Sequence, residues 1–237
     1  MRFLIISDIH ANWDALDAVL THAEGSYDLV LNCGDLVGYG PEPNRVVDWC
    51  RATNAAVVRG NHDKAAVGLT DLDWFNPIAK EAALWTAAML TDTNRTYLAT
   101  LPMGPRMVQD FDILHGSPED EDEYLVEPSD VVGIIPERPL SFFGHTHLQG
   151  GFLLHRMGVR SLNSASLFVD DTAAYLVNPG SVGQPRDGDP RAGYALYDSN
   201  TRTVQYHRTE YDIVLTARKI FEAGLPEVLG MRLFRGT

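Results

Sequence analysis

Histidine and acidic residues stand in five short clusters, and each cluster comes directly after a run of apolar residues. The clusters are Asp8-Ile9-His10, Gly34-Asp35, Gly60-Asn61-His62-Asp63, His115-Gly116 and Gly144-His145-Thr146-His147. Their side chains offer imidazole, carboxylate and amide groups, and no thiolate stands among them. Such a set suits Mn, Fe, Zn, Co or Ni in a reactive site better than a structural zinc. The clusters therefore predict a metal site.

Two of the clusters hold a pair of candidate ligands separated by one residue, Asp8 with His10 and His145 with His147. Along an extended chain such residues point to the same side, so each pair is expected to hold a metal from one side. Seven candidate ligands result, namely Asp8, His10, Asp35, Asn61, His115, His145 and His147. Seven ligands are too many for one ion and suit two, with one carboxylate bridging them. Two-metal sites assist displacement at phosphorus.

The elements before these clusters alternate between strands and helices. Short apolar runs at 3–6, 29–34 and 55–60 predict strands, while Asn12 and the proline-rich turn at 41–43 predict helix starts. This alternation indicates parallel strands with crossover helices. Because ligands bind beyond the carboxyl ends of such strands, the clusters are expected to meet in space.

The rest of the chain changes in character. Residues 74–101 are predicted to be helical, with a start at Asn76-Pro77. After Pro105 the pattern predicts strands, at 106–116, 140–146, 150–157, 174–180, 192–198 and 203–212. The last helical segment, 213–233, is interrupted at 224–226. Neither a repeat nor a linker is visible, so the sequence predicts a single domain over 1–237. We expect an α/β fold with two sheets packed face to face and helices outside.

The charge balance narrows the choice of partner. The chain of 237 residues has a formal net charge of −13 and no run rich in lysine or arginine. Nucleic-acid binders usually carry a basic surface that neutralises phosphates, so no stable nucleic-acid partner is expected. A small phosphate ester remains compatible with an acidic chain when metal ions supply the local positive charge.

Cysteine content and hydropathy bear on the compartment. Cys33 and Cys50 are isolated, which fits a reducing environment. No apolar run approaches the roughly 20 residues of a membrane span, and the N-terminal one is too short for a signal peptide. The sequence predicts a cytoplasmic protein without a membrane partner. Residues 74–101 and the last helical segment could each form an interface, so a homo-oligomer remains open.

Taken in order, the motifs DxH, GD, GNHD, HG and GHTH resemble those of the calcineurin-like metallophosphoesterases. The resemblance extends from Asp8 to the segment NPGSVGQPRDG at 178–188. That segment and GDLVGYGPEPN are similar to a small bacterial branch that includes phosphodiesterases and relatives of dinucleoside polyphosphate hydrolases. The resemblance implies an α/β fold, a four-layer α/β/β/α sandwich of two mixed β-sheets flanked by helices.

The resemblance also implies a role for each candidate ligand. Asp8, His10 and His147 would bind a first divalent ion, Asn61, His115 and His145 a second, and Asp35 both. Manganese is the expected metal, with Fe, Zn, Co or Ni as alternatives. A metal-bridging hydroxide would attack the phosphorus of a phosphodiester or nucleotide-type phosphate ester. His62 would lie near the leaving group, as a proton donor or a stabilising charge, and Asn61 and His62 would contact the substrate.

The sequence departs from the protein phosphatase branch of that family. That branch carries GDxxDRG, whereas this chain reads GDLVGYG and lacks the second Asp and the Arg. A protein serine/threonine phosphatase is therefore the disfavoured alternative, next to a non-catalytic metal-binding scaffold of the same fold. Asp63 is one candidate to orient His62 in place of the missing Asp. Arg186 could replace the missing Arg as a phosphate contact, or could pair with Asp187 or Asp189.

Two further features allow two interpretations each. The acidic run PEDEDEY at 118–124 suits a solvated loop, or a gate that repels polyanions from the site. Trp74, Trp85 and Tyr39 are expected in the core or at the rim of the site, rather than as platforms on which bases stack.

Overall fold

The computed structural model describes all 237 residues. The strands are β1 (Arg2–Ile6), β2 (Leu29–Asn32), β3 (Ala56–Val57), β4 (Arg106–Val108), β5 (Phe111–Ile113), β6 (Leu140–Phe142), β7 (Gly150–His155), β8 (Gly158–Ser161), β9 (Ser166–Phe168), β10 (Ala174–Asn178), β11 (Ala192–Asp198) and β12 (Thr203–Thr209). The α-helices are α1 (Trp13–His22), α2 (Pro43–Thr53), α3 (Asn61–Ala66), α4 (Pro77–Met89), α5 (Asp92–Ala99), α6 (Ile213–Glu222) and α7 (Glu227–Leu233). Two 3₁₀ helices span Leu72–Trp74 and Pro128–Val131. None of the helices has the length and hydropathy that crossing a membrane requires.

The strands form two mixed sheets of six strands each. The first has the order β3-β2-β1-β11-β12-β9, and the second has the order β4-β5-β6-β10-β7-β8. In the first sheet β1 runs parallel to β2, with Phe3 opposite Leu29, and antiparallel to β11. In the second sheet β6 runs parallel to both β5 and β10. These sheets and their flanking helices confirm the predicted fold class.

The residues of β1 alternate between two cores because successive side chains of a strand point to opposite faces. Phe3 and Ile5 pack in the core that includes Phe111 and Phe142 of the second sheet, and so lie between the sheets. Leu4 and Ile6 belong to the core under the helices of the first sheet. The outer face of the second sheet is covered by the segment around the 3₁₀ helix at Pro128–Val131.

Local signals placed most helices correctly, but they did not predict α3 or the division of 74–101 into α4 and α5, and they placed some strands incorrectly. Asn12 and Asn76 cap α1 and α4 by accepting a hydrogen bond from the backbone N–H three residues later, as helix N-caps do. The predicted break at 224–226 separates α6 from α7. The third strand is shorter than predicted and holds only Ala56–Val57, whereas β8 and β9 were not predicted. Both unpredicted strands are short and mostly exposed, so they lack an apolar pattern.

Candidate metal centre

The five predicted clusters lie beyond the carboxyl ends of five strands. Three follow β1, β2 and β3 in the first sheet, and two follow β5 and β6 in the second. The sheets therefore share one edge, at which residues far apart in sequence meet. The structure brings together Asp8, His10, Asp35 and His147 as one group and Asp35, His115 and His145 as another. Within each group one ligand atom per residue lies within 4.8 Å of the others.

Asp35 lies between the two groups. Its Oδ1 accepts a hydrogen bond from the backbone N–H of His62 at 2.9 Å, which fixes the carboxylate. Its Oδ2 lies 3.6 Å from Nε2 of His10 in the first group and 3.5 Å from Nε2 of His115 in the second. Asn61 completes the second group, with Oδ1 3.1 Å from the same Nε2 of His115. One carboxylate oxygen is thus shared by both groups.

The four histidines each bond a backbone carbonyl through one nitrogen and turn the other inward. The Nδ1 atoms of His10, His115 and His147 bond the carbonyl oxygens of Val37, Cys33 and Gln184, and Nε2 of His145 bonds that of Asp122. Only a protonated nitrogen donates to a carbonyl, so these bonds leave the inward nitrogen of a neutral ring unprotonated. Metal-ligating histidines are held in this way.

The inward-facing nitrogens of the histidines lie close together in pairs, as nitrogens that bind the same metal ion do. Nε2 of His10 lies 3.0 Å from Nε2 of His147, and Nδ1 of His145 lies 3.1 Å from Nε2 of His115. When each of these nitrogens is unprotonated, neither pair is a hydrogen bond. The six buried Asp and His side chains are each at most 3% exposed. Buried lone pairs directed at one another fit divalent cations.

The geometry of the two ligand pairs differs from the prediction. Asp8 and His10 follow the end of β1 in a turn, and both have a positive φ, 53° and 49°. His145 and His147 follow β6 with φ of 66° and 61°. The expectation of an extended chain was wrong, because the chain must turn sharply at the sheet edge. Consequently His145 and His147 join different groups instead of holding one ion together.

Left-handed backbone is concentrated in this centre. Asp35 has a φ of 56°, so five of the candidate ligands adopt a conformation that costs a non-glycine residue energy. Such strain clusters at functional sites, where the surrounding structure holds it in place. Gly34 has a φ of 103°, and a Cβ there would lie 2.5 Å from Nδ1 of His115. Glycine at this position permits both the turn and the close approach of the ring.

Burial and mutual charge shift the protonation of the ligands. Burial raises the pKa of Asp8 to about 7. Burial also lowers the pKa values of His10, His145 and His147 well below the ordinary value. These three rings are therefore held neutral, which is the state that binds a metal.

Asp35 and His115 form an ion pair in the same centre. Burial opposes ionisation of Asp35, but His115, His62 and His10 together hold its pKa well below the ordinary value. Burial likewise opposes protonation of His115, yet the charge of Asp35 outweighs it and raises the pKa of the ring to about 9. The carboxylate that lies between the groups is thus ionised.

His62 lies in the first turn of α3 beside the ligands and is held by packing. Its ring lies 4.3 Å from the ring of Tyr39 and 5.2 Å from that of Phe75, centroid to centroid. Its Nδ1 is buried and has no hydrogen-bond partner, and burial lowers the pKa of the ring to about 4. Asp63 does not orient this ring, because its carboxylate accepts backbone N–H groups of Asp35, Val37 and Gly60.

Arg186 carries no carboxylate partner. Its guanidinium donates to Oε1 of Gln184 and lies 5.7 Å from the ring centroid of Tyr39. The alternative of an ion pair with Asp187 or Asp189 is wrong, because Arg208 binds the first and Arg191 the second. The cation beside the centre is therefore not neutralised by an acid.

The acidic run at 118–124 is a solvated loop only in part, because Glu121 is partly buried in ion pairs next to the site while the other acids of the run are exposed. Arg59 binds Glu121 through two nitrogens at 2.8 and 2.9 Å, and Lys64 binds both Glu121 and Asp122. The ring of Tyr124 lies 3.8 Å from that of His145. These contacts hold the carbonyl that orients His145. The sequence analysis missed them, because nothing in the run shows which acids meet a cation.

A pocket of about 410 Å³ opens beside His62, Asn61 and His145. Its other lining residues are Tyr39, Thr70, Trp74, Phe75, Asn76, Ala79, Asp122 and Tyr124. Trp74 is 88% exposed, so it lies at the rim of the site and not in the core. The sequence analysis missed Phe75 and Tyr124, because single aromatic residues in loops carry no signal of their own.

Comparisons with known proteins identify the family of this chain. The family model described as the calcineurin-like phosphoesterase superfamily domain matches residues 1–202. A protein of Methanocaldococcus jannaschii described as uncharacterized is 37% identical over an alignment of 242 positions, which covers 98% of this chain and 97% of that protein.

Solved structures extend the comparison to the fold. A metallophosphoesterase from Sphaerobacter thermophilus has a TM-score of 0.86 and 41% identity, over 100% of this chain and 99% of that chain. A hypothetical protein from Pyrococcus horikoshii OT3 has a TM-score of 0.81 and covers 100% of this chain and 98% of its own, but its 21% identity shows the fold alone. The family match spans most of the chain and includes every predicted ligand. This protein therefore belongs to the calcineurin-like phosphoesterase superfamily and is a hydrolase of phosphate esters.

Proposed function

We propose that this protein is a dinuclear-metal phosphoesterase that hydrolyses a phosphodiester or a nucleotide-type phosphate ester. The observation that carries the proposal is the position of Asp35, whose Oδ2 lies 3.6 Å and 3.5 Å from imidazole nitrogens of two separate ligand groups. A carboxylate shared by two groups of imidazole, carboxylate and amide donors suits a pair of divalent cations.

Each group supplies a distinct set of donors. Asp8, His10 and His147 would hold one cation with Asp35, and Asn61, His115 and His145 would hold the other. When bound, the cations would supply positive charge for the phosphate and would lower the pKa of water that attacks it. Imidazole, carboxylate and carbonyl donors suit manganese, and Fe, Zn, Co and Ni as well.

His62 and Arg186 supply the contacts to the substrate in this proposal. His62 lines the pocket next to Asn61, so a phosphate bound at the second group would meet its ring. We assign to it the hydrogen bond that the leaving oxygen requires. Because burial holds the pKa of the ring at about 4, His62 gains a proton to transfer only when the negative charge of a bound phosphate raises that pKa. To Arg186, whose guanidinium lies 5.7 Å from the ring centroid of Tyr39, we assign the neutralisation of a phosphate oxygen.

The test is hydrolysis of bis(p-nitrophenyl) phosphate by metal-stripped protein that is resupplied with Mn²⁺. Activity should return only with metal, and Asp35→Asn should abolish it. Asp48→Asn is the matched control, since Asp48 is an exposed acid of α2. If the stripped protein is as active as the resupplied one, or if Asp35→Asn keeps full activity, the proposal is wrong.

A further inference from the structure

The pocket beside the second ligand group has the size and position of a substrate subsite. Its volume of about 410 Å³ falls within the roughly 300–1,000 Å³ of small-molecule sites. It is contiguous with Asn61, His62 and His145, so any group attached to a phosphate at the centre extends into it. The chemistry of its walls therefore selects what the phosphate carries.

Aromatic rings make up most of the apolar wall. Tyr39, Phe75 and Tyr124 surround the inner part, where the first two pack against His62 and the third against His145. Trp74 stands at the mouth on a 3₁₀ helix and is 88% exposed. An indole left in water next to a reactive centre offers a large flat surface to a ligand.

The charge of the pocket wall favours a neutral group over a second anion. Neither lysine nor arginine lines the pocket. Its one carboxylate, that of Asp122, is bonded by Nζ of Lys64 at 2.7 Å. The nearby guanidinium of Arg186 lies outside this lining, 5.7 Å from the ring centroid of Tyr39, and the proposed function assigns it to the phosphate at the centre. A further phosphate of a polyphosphate would therefore meet no cation on the wall, whereas a neutral ring needs none. Asn76 uses Oδ1 to cap α4, which leaves its amide nitrogen available to a polar edge of a ligand.

We propose that this pocket binds a neutral planar aromatic group attached to the substrate phosphate, with Trp74 as the surface on which that group stacks. The base of a nucleoside and the ring of an aryl ester share this chemistry. The position of the phosphate rests on the proposed function. The pocket makes the protein selective for esters of aromatic-bearing alcohols over esters of simple alkyl alcohols.

The experiment is calorimetric titration of the full-length, Mn²⁺-loaded protein with phosphonates, in which a P–C bond prevents hydrolysis. One pair compares the 5-phosphonates of adenosine and ribose, and the other compares phenylphosphonate with methylphosphonate. In each pair only the aromatic group differs. Stacking of a base on an aromatic side chain should make the aromatic member bind roughly tenfold tighter.

Three variants assign that preference to Trp74. Trp74→Ala should remove most of it, and Trp74→Phe should retain part of it because a ring remains. Phe168→Ala is the matched control, since Phe168 is an exposed aromatic residue of β9 outside the pocket and its loss should change nothing. A preference seen with the adenosine pair alone identifies a nucleoside as the ligand, and one seen with the phenyl pair alone identifies an aryl ester.

Other results overturn the inference. If the aromatic members bind no more tightly than their counterparts, if none of the phosphonates binds, or if Trp74→Ala and Phe168→Ala behave alike, the pocket is not an aromatic subsite. Those results leave the hydrolysis test with Asp35→Asn unaffected. Conversely, if the protein hydrolyses no ester and yet binds the aromatic phosphonates more tightly, the proposed function is refuted and the aromatic subsite is supported.

Discussion

The metal-ligand groups and the pocket next to them are built in opposite ways. Each Asp and His of the ligand groups is at most 3% exposed, and each of the four histidines in these groups bonds a backbone carbonyl. The pocket wall includes Trp74 and Tyr124, which are 88% and 51% exposed. The ligand groups are thus buried and held by hydrogen bonds, whereas the pocket wall is aromatic and open to solvent.

This difference indicates a division of labour within one site. Ligands that must keep their geometry are fixed by several elements of two sheets, at the cost of left-handed backbone at five positions. The walls that contact the rest of a substrate lie on loops, which vary without disturbing the sheets. Substitutions in the ligand groups should therefore affect every substrate, whereas substitutions in the wall should affect the choice among substrates.

The largest effect is expected from loss of a ligand. His145→Asn should reduce bound Mn²⁺ from two ions per chain to one and lower kcat about 1,000-fold, since a Lewis-acid metal is worth several kcal/mol. Metal analysis and bis(p-nitrophenyl) phosphate hydrolysis measure the two quantities. His155→Asn is the control, because His155 is an exposed residue at the end of β7. A variant that still binds two ions would contradict the assignment of His145.

His62 should behave differently from the ligands, although it lies beside them. His62→Asn should lower kcat about 100-fold, as the loss of a proton-transferring group does, and should leave the content of Mn²⁺ unchanged. The loss should shrink for substrates with p-nitrophenolate leaving groups, which need little protonation. If the variant loses metal as His145→Asn does, then His62 supports the centre and does not act on the substrate.

Lys64 links the two regions, so its loss should have an intermediate effect on both. Lys64→Met removes the bonds from Nζ to the carboxylates of Glu121 and Asp122. The backbone carbonyl of Asp122 is the group that orients His145. We expect about a tenfold weaker affinity for one of the two ions, the usual result of losing an indirect support of a ligand. Lys80→Met, which breaks the exposed pair with Asp73 far from His145 in the chain, should leave the Mn²⁺ affinity unchanged. Equal effects of the two variants would show that the segment at 118–124 does not position His145.

The smallest effect is expected in the reactivity of the two cysteine thiols in the native protein. Both cysteines are buried, and burial raises the pKa of Cys50 to about 11 and that of Cys33 well above its ordinary value. Neither thiol should react with a disulfide reagent within minutes at pH 8 in the native protein, and both should react in guanidinium chloride. Because Cys33 precedes Gly34 and Asp35, rapid labelling of the native protein would show that the ligand framework opens.

Much of this molecule follows from local patterns in the sequence. The short apolar runs specified β1 and β2, and Asn12 and Asn76 specified the starts of α1 and α4, because a cap depends on neighbouring residues only. The ordered motifs specified the family. The same motifs predicted which residues would meet, since the loops after parallel strands share one edge of a sheet.

Other features were decided by the tertiary structure. The family resemblance implied that His145 and His147 serve different ions, whereas their spacing alone indicated one; the structure turns them to different groups because the backbone after β6 passes through left-handed conformations. Arg186 is left without an acid because Arg191 and Arg208 bind its neighbours from elsewhere in the chain. The acidic run lies against α3 because Arg59 and Lys64 meet it there. A sequence specifies which groups are available, but the partner of each group is set by long-range packing, in which every candidate competes with the others for space and charge.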